Sequence, residues 1–299
     1  MKLDSKNHPA NNLTVLQFTG ADSISFLQGQ LSNDINALSA SWQFSGYCNP
    51  KGRLLALLQV WKNEDVVYAS IDSTLVDATI KRLRMYVMRS KVVIDEIKQA
   101  RFTGLTGLEN KSERFSVTIN DSIHTLHYGD RALRIDLQPS DHTSLEQVGD
   151  WQGWAVAKIA AGEPTIDADN VEMFVPQMVN LDLLDGINFK KGCYTGQEIV
   201  ARMHYLGKLK QRMFVCQVDG SAHSGEKILA AEKNAGTIVS AFDGSALAVI
   251  RRELLDNSLK TESGAKVIPL AQQPYSIPEW LYLTFFDQKA GYKCPRSGN

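Results

Sequence analysis

The run of four elements between residues 54 and 94 constrains the fold of this chain most. Leu54 to Val60 reads Leu-Leu-Ala-Leu-Leu-Gln-Val, a largely apolar stretch entered after the turn pair Lys51-Gly52. A short apolar run bounded by turn residues predicts a strand. The polar turn Lys62 to Asp65 separates it from a second strand, Val66 to Ile71. Ser73 or Thr74 then caps a helix whose Val76, Ile80, Leu83 and Val87 share one face. Val92 to Ile94 resumes as a strand. Strand, strand, helix, strand in that order predicts an α+β arrangement.

The flanks carry weaker signals. Asp22 or Ser23 can cap a helix bearing Ile24, Leu27 and Leu31, stopping near Asn33-Asp34. Residues 101 to 136 alternate weakly and read as strands. Trp154 to Ala161 reads as a helix that ends at Gly162, with Pro164 beyond it. Arg212 to Val218 alternates as a strand, and Asp243-Gly244 between Thr237–Phe242 and Ser245–Arg251 is a hairpin signal. The last third is therefore β-rich, and Asp287 to Asn299 forms a polar tail, expected to be flexible.

Composition excludes several function classes. A chain of 299 residues can hold two or three domains. The net charge of −1 provides no overall basic footprint for nucleic acid, and no recognised RNA module is present. Lys81, Arg82, Arg84, Arg89 and Lys91, and later Lys208, Lys210 and Arg212, read as solvated charged faces. Cys48, Cys193, Cys216 and Cys294 form no C-x-x-C pair and have no histidine at ligand spacing, which argues against zinc or a self-contained iron–sulfur cluster. No apolar run approaches membrane-spanning length, and Met1 to Asn12 is polar. With few, unpaired cysteines, these features point to the reducing cytoplasm.

The segment with the most chemistry is Lys190-Lys191-Gly192-Cys193-Tyr194-Thr195-Gly196-Gln197-Glu198. Thr195 and Glu198 have the spacing of a capping box, with Tyr194 and Ile199 as its hydrophobic staple. Cys193 would then lie just ahead of a helix N-terminus, beside two cations. Such a field attracts anions and lowers the pKa of a thiol. Each residue also has a structural reading: Glu198 as a cap, the glycines as backbone turns, Cys193 as a small buried group. Arg202, four residues after Glu198, is spaced to pair with it. His204 lies roughly ten to fifteen Å along the same helix from Cys193, too far for a preorganised thiol–imidazole dyad.

Phe189-Lys190-Lys191-Gly192-Cys193-Tyr194-Thr195-Gly196-Gln197-Glu198 resembles the signature of the YgfZ family of folate-binding, tRNA-modification-associated proteins, relatives of the glycine-cleavage aminomethyltransferase. Other segments resemble the family in the same order. They are Thr19 to Ser23 with Phe26 to Gln30, Cys48 to Arg53, Tyr86 to Val92, Ala161 to Pro164 with Ile166-Asp167, and Phe174 to Gln177 with Asn180-Leu181. The resemblance runs from about residue 13 to about residue 214. It implies an aminomethyltransferase-like fold of several subdomains with a C-terminal β-barrel. The expected divisions are a central folate-binding region at 1–45 and 100–207, an α+β subdomain at 46–99, a barrel at 208–286 and the tail at 287–299.

The resemblance also implies a ligand, tetrahydrofolate or a one-carbon derivative. Its ring would lie near Trp154, and its anionic tail near Lys190, Lys191, Tyr194 and Arg202. Two departures matter. Where the transferases carry acids in a Gly-Gly-x-x-Asp-Asp-Leu segment, this chain has Leu55 and Ala56, which transfer no proton. Where relatives often have Ile-Glu-Ala-Gly, this chain has Ile159-Ala160-Ala161-Gly162, without the carboxylate that meets a pterin. The cavity is thus expected to hold few acids. The implied role is a folate-binding accessory protein for iron–sulfur enzymes, including tRNA-modifying ones, with Cys193 as the working thiol. The alternative is a folate-dependent one-carbon transferase or demethylase.

Overall fold

The computed structural model describes residues 12–109, 111–139, 151–205 and 209–275. The first unit comprises β1 (Leu13–Thr19), α1 (Ser23–Gln28), β2 (Trp42–Cys48), β3 (Leu54–Asn63), β4 (Val66–Asp72), α2 (Val76–Val87) and β5 (Val93–Ile97). Its antiparallel sheet has the order β2-β3-β4-β1-β5. The predicted strand–strand–helix–strand run is present. The strand β1, with Val15, Leu16 and Phe18 buried, enters between β4 and β5. The expected boundary at 45/46 falls inside β2, and sheet pairing also recruits β1 from ahead of it.

Local chemistry sets the caps of two helices. The Asp72 carboxylate accepts from the Thr74 amide at 3.0 Å, so Asp72 rather than Ser73 or Thr74 caps the short 3₁₀ turn leading into α2. Asp22 makes no side-chain cap to α1; its carboxylate takes the Lys91 amide at 2.7 Å and ties α1 to the start of β5. The helix α1 ends at Gln28, well before Asn33.

The second unit is the sheet β6 (Arg101–Leu105), β7 (Val117–Asn120), β8 (Ile123–His127) and β9 (Ala132–Asp136), ordered β6-β9-β8-β7, with α3 (Trp151–Ala160). Trp154 lies on Gly104, where a Cβ would stand 2.7 Å from the indole. After α4 (Gln197–Tyr205) come β10 (Gln211–Asp219), β11 (Lys227–Ala230), β12 (Lys233–Phe242), β13 (Ser245–Arg251), β14 (Leu259–Thr261) and β15 (Lys266–Pro269). They close into the barrel β10-β13-β12-β11-β14-β15. Asp243 (φ 46°) and Gly244 (φ 73°) both sit in the left-handed region, as the two-residue hairpin requires.

The units are joined by buried polar bonds rather than by apolar packing alone. Trp42 and Trp61 of the first sheet donate to His127 O (2.9 Å) and His124 Nδ1 (2.8 Å) of the second. Asn180 donates to Met213 O at 2.8 Å, and Arg212 of the barrel forks onto Asp182 at 2.7 Å on both oxygens. Asn170 donates to Val239 O at 2.9 Å. Each bond satisfies a group that would otherwise be buried without a partner. The tail at 287–299 lies outside the described residues, as does Cys294.

Candidate functional site: a pinned thiol loop and a cavity at the end of α3

The loop ahead of α4 is held at both ends. Asn188 accepts the amides of Lys190 (2.8 Å) and Lys191 (3.0 Å) on one side-chain oxygen. The Lys191 ammonium then donates to three carbonyls at the end of α1 and just after it: Gln28 at 2.8 Å, Leu31 at 2.7 Å and Asn33 at 2.7 Å. It also lies 5.2 Å from the Tyr194 ring centroid. Burial pushes Lys191 down to about 8, with Asp34 opposing. A lysine whose three donors are used is a fastener. It is not a free cation for a folate tail.

The far end is fixed by a glycine. Gly196 has φ +84°, and a Cβ there would meet Asn49 O at 2.5 Å and Gly52 Cα at 3.1 Å. The motif thus seats directly on the Asn49–Arg53 turn. That turn is itself braced by Asn49, whose side-chain oxygen accepts the Lys51 and Arg53 amides at 2.9 and 3.0 Å. Gly52 (φ +69°) faces Ile199 in return. Two segments 140 residues apart in sequence are one structural feature.

Between these anchors, Gly192 and Cys193 are exposed, as is Lys190. Cys48 and Cys216 are buried, and burial pushes both thiols up to about 12. Cys193 is the exposed thiol among the described residues.

Several expected roles do not survive the geometry. The helix α4 starts at Gln197, so Gly196 occupies the position before it and Thr195 lies one residue too early to cap. Among the described residues Thr195 makes no bond to the helix end, and exposed Glu198 and Arg202 form no ion pair. Tyr194 is buried, and burial raises its phenol well above the ordinary range, so it offers packing instead of an open ligand contact. His204 stacks on Phe189 with centroids 3.7 Å apart. Trp154 is 2% exposed, packed on Gly104 and edge-on to Tyr128, and presents no open face for stacking.

A second feature lies at the end of α3. A cavity of about 380 Å³ is lined by Arg114, Tyr128, Arg131, Ala160 and Glu163, among others. Arg131 forks onto Glu163 at 2.8 and 3.3 Å, and Arg114 approaches within 3.6 Å. Arg131 also lies over Tyr128 and Trp154, 5.2 and 5.3 Å from their ring centroids. The Tyr128 hydroxyl is buried, with the Gln59 side chain beside it. Burial, reinforced by Glu163, raises its phenol well above the usual range, which keeps it a neutral donor. Two acids, Glu163 and Asp130, line this cavity. The sequence signal was Glu163 itself, three residues beyond Ala160.

Among the described residues no group of histidine, cysteine and carboxylate side chains could hold a metal ion, and no helix is long and apolar enough to cross a membrane. Residues 210–281 match the family described as the CAF17 C-terminal beta-barrel domain. The fold is similar to that of the glycine cleavage system aminomethyltransferase T from Bartonella henselae, with a TM-score of 0.69 over 89% of this chain and 84% of that one, at 11% identity. In sequence the chain is 30% identical to the tRNA-modifying protein YgfZ of Yersinia pestis (strain Pestoides F), covering 89% of this chain and 91% of the relative. It is 29% identical to the protein of the same name from Enterobacter sp. (strain 638), covering 87% and 90%. An aminomethyltransferase-like fold, a matching C-terminal barrel and this near full-length identity place the chain in the YgfZ family.

Proposed function

We propose that this chain acts in tRNA modification as a reduced-folate-binding accessory protein of the cytoplasm, supporting iron–sulfur enzymes, and that it carries out no aminomethyl transfer. The observation that carries the reading is the near full-length identity to proteins named tRNA-modifying protein YgfZ. The pinned loop supports it, because a segment fastened at both ends presents one exposed thiol, Cys193. Fixed geometry around a nucleophile or transient ligand lowers the entropy lost when a partner engages it. Ala56 is fully buried and Leu55 half-buried, and neither side chain can carry a proton for transferase chemistry.

Folate suits the cavity at the end of α3. A phenol and a clamped carboxylate among the lining residues suit a ligand with both acceptors and donors on a flat edge. The volume lies within the usual range of small-molecule pockets, roughly 300–1,000 Å³.

The test is complementation. A bacterial strain lacking its own family member is supplied with the wild-type chain or Cys193→Ser, and modified nucleosides in bulk tRNA are quantified. The wild type is expected to restore the missing modification and Cys193→Ser to fail at equal protein level. A stable wild-type chain that restores nothing sinks the proposal. Turnover of an aminomethyl or methyl donor by the purified protein would instead favour the transferase alternative.

A further inference from the structure

The surface at the end of α2 belongs neither to the thiol loop nor to the cavity at the end of α3. One face of α2 is buried through Val76, Thr79 and Leu83, and Lys81, Arg84 and Met85 are exposed on the other. Met85 is 61% exposed, Tyr86 39%, Met88 87% and Val93 54%. Four large apolar side chains thus reach solvent within one short segment. From Ala78 to Ile94 the chain carries five cations and no acid. Lys81, Arg84, Arg89 and Lys91 are exposed, and among the described residues none of these four forms an ion pair.

The backbone beneath this surface is fixed. Arg84 donates to Ile94 O at 2.9 Å, which ties the last turn of α2 to β5. The Lys91 amide donates to the Asp22 carboxylate at 2.7 Å. Gly20 (φ +105°) packs against Lys91 O so closely that no β-carbon fits there. Val93 opens β5, the edge strand of its sheet. The exposed side chains are therefore presented in one arrangement, which lowers the ordering cost of an encounter.

A contiguous apolar patch in solvent marks an interaction surface. Methionine, tyrosine and arginine are enriched in protein interfaces, and acids are depleted. The uncompensated cations select the partner's charge: carboxylates are drawn in, and a basic face is repelled. Of the four apolar groups only Tyr86 has a ring on which a base could stack, so the surface fits a protein better than an RNA strand. We infer that the end of α2 docks an acidic protein whose carboxylates surround an apolar centre. Met85 and Met88 supply the apolar contact, and Arg89 and Lys91 the charge. The inference rests on the accessory role proposed above, since an accessory protein must engage the one it serves.

The experiment uses the full chain in the strain lacking its own family member. The photocrosslinker p-benzoylphenylalanine replaces Met88 or Val93, or exposed Lys260 of the barrel as a control. Irradiation is expected to give an adduct with an acidic protein from the first two positions and not from the third. That protein, identified and purified, is titrated against wild type, Arg89→Glu/Lys91→Glu and Met85→Ser/Met88→Ser, with thermal melts confirming that each is folded. Both double variants are expected to bind at least about 10-fold more weakly. Added salt should weaken the wild type and leave Arg89→Glu/Lys91→Glu nearly unchanged. The inference is overturned by any of four results: no adduct specific to α2 and β5, an adduct removed by ribonuclease, an adduct with a second copy of this chain, or undiminished binding of the partner by both double variants. If both double variants restore tRNA modification as wild type does, the inference falls and the accessory reading stands. If the wild type restores nothing, the accessory reading falls, while the adduct and titrations still decide whether this surface docks an acidic protein.

Discussion

Lys191→Met is the most informative single change, because it separates fastening from ligand binding. The wild-type ammonium satisfies the carbonyls of Gln28, Leu31 and Asn33 at 2.7–2.8 Å. Methionine keeps the chain length and apolar packing but donates nothing. An acceptor left without a partner costs about 1–3 kcal/mol, and the lower end applies because Lys191 is only part-buried. Three such groups give about 3 kcal/mol. Some of this is returned, because the wild type holds a charge that burial disfavours. The net expectation is a loss of about 2–3 kcal/mol, or about 4–10 °C in melting temperature. Hydrogen exchange should localise the damage. The Lys190 and Lys191 amides, now bonded to Asn188, should lose protection, while the barrel strands should keep theirs. Lys191→Arg should rescue little, because a planar fork cannot aim at three converging carbonyls. A Lys191→Met protein within about 0.5 kcal/mol of wild type, with those amides still protected, would refute the fastening argument.

Gly196→Ala should destabilise by more than about 2 kcal/mol, since φ +84° is strained for alanine and the added carbon meets Asn49 O at 2.5 Å; Thr195→Ala should stay within about 0.5 kcal/mol, because no cap is lost. In a Cys294→Ser background, iodoacetamide should label the native protein at Cys193 alone. Cys48 and Cys216 should react only after denaturation; native labelling at either would contradict their burial. His124 accepts from Trp61 on Nδ1 and must be neutral to do so, and burial lowers its pKa from 6.5. The unfolded chain binds this proton first as pH falls, so the stabilisation is full above about pH 6.5 and declines below it, towards the lowered folded value. Urea midpoints measured from pH 8 to 5 should show that decline, and His124→Phe should be less stable at pH 8 but flatter across the range.

Much of this protein was legible from residues alone. Strong apolar runs gave away β3 and β4, the helical spacing of Val76, Ile80, Leu83 and Val87 gave α2, and Asp243-Gly244 gave the barrel hairpin, because each signal is local. The signature segment was also visible, and with it the family. What local signals cannot carry is who pairs with whom. The strand β1 is stabilised by neighbours more than 45 residues away, so its place in the sheet, and the failure of the 45/46 boundary, follow only from long-range pairing. The motif shows the same division. Its spacing predicted a capping box, yet the Asn49 carbonyl pressed against Gly196 leaves room for no side chain and moves the helix start by one residue. Its two lysines looked alike, and only the tertiary fold brought three carbonyls from the region of α1 to one of them, leaving Lys190 in solvent. Trp154 and Glu163 exchanged prominence for the same reason. Burial against Gly104 closed the indole face, and the turn at Gly162 brought the carboxylate to the cavity wall. Sequence determined which elements and chemical groups exist; packing decided which of those groups remain available.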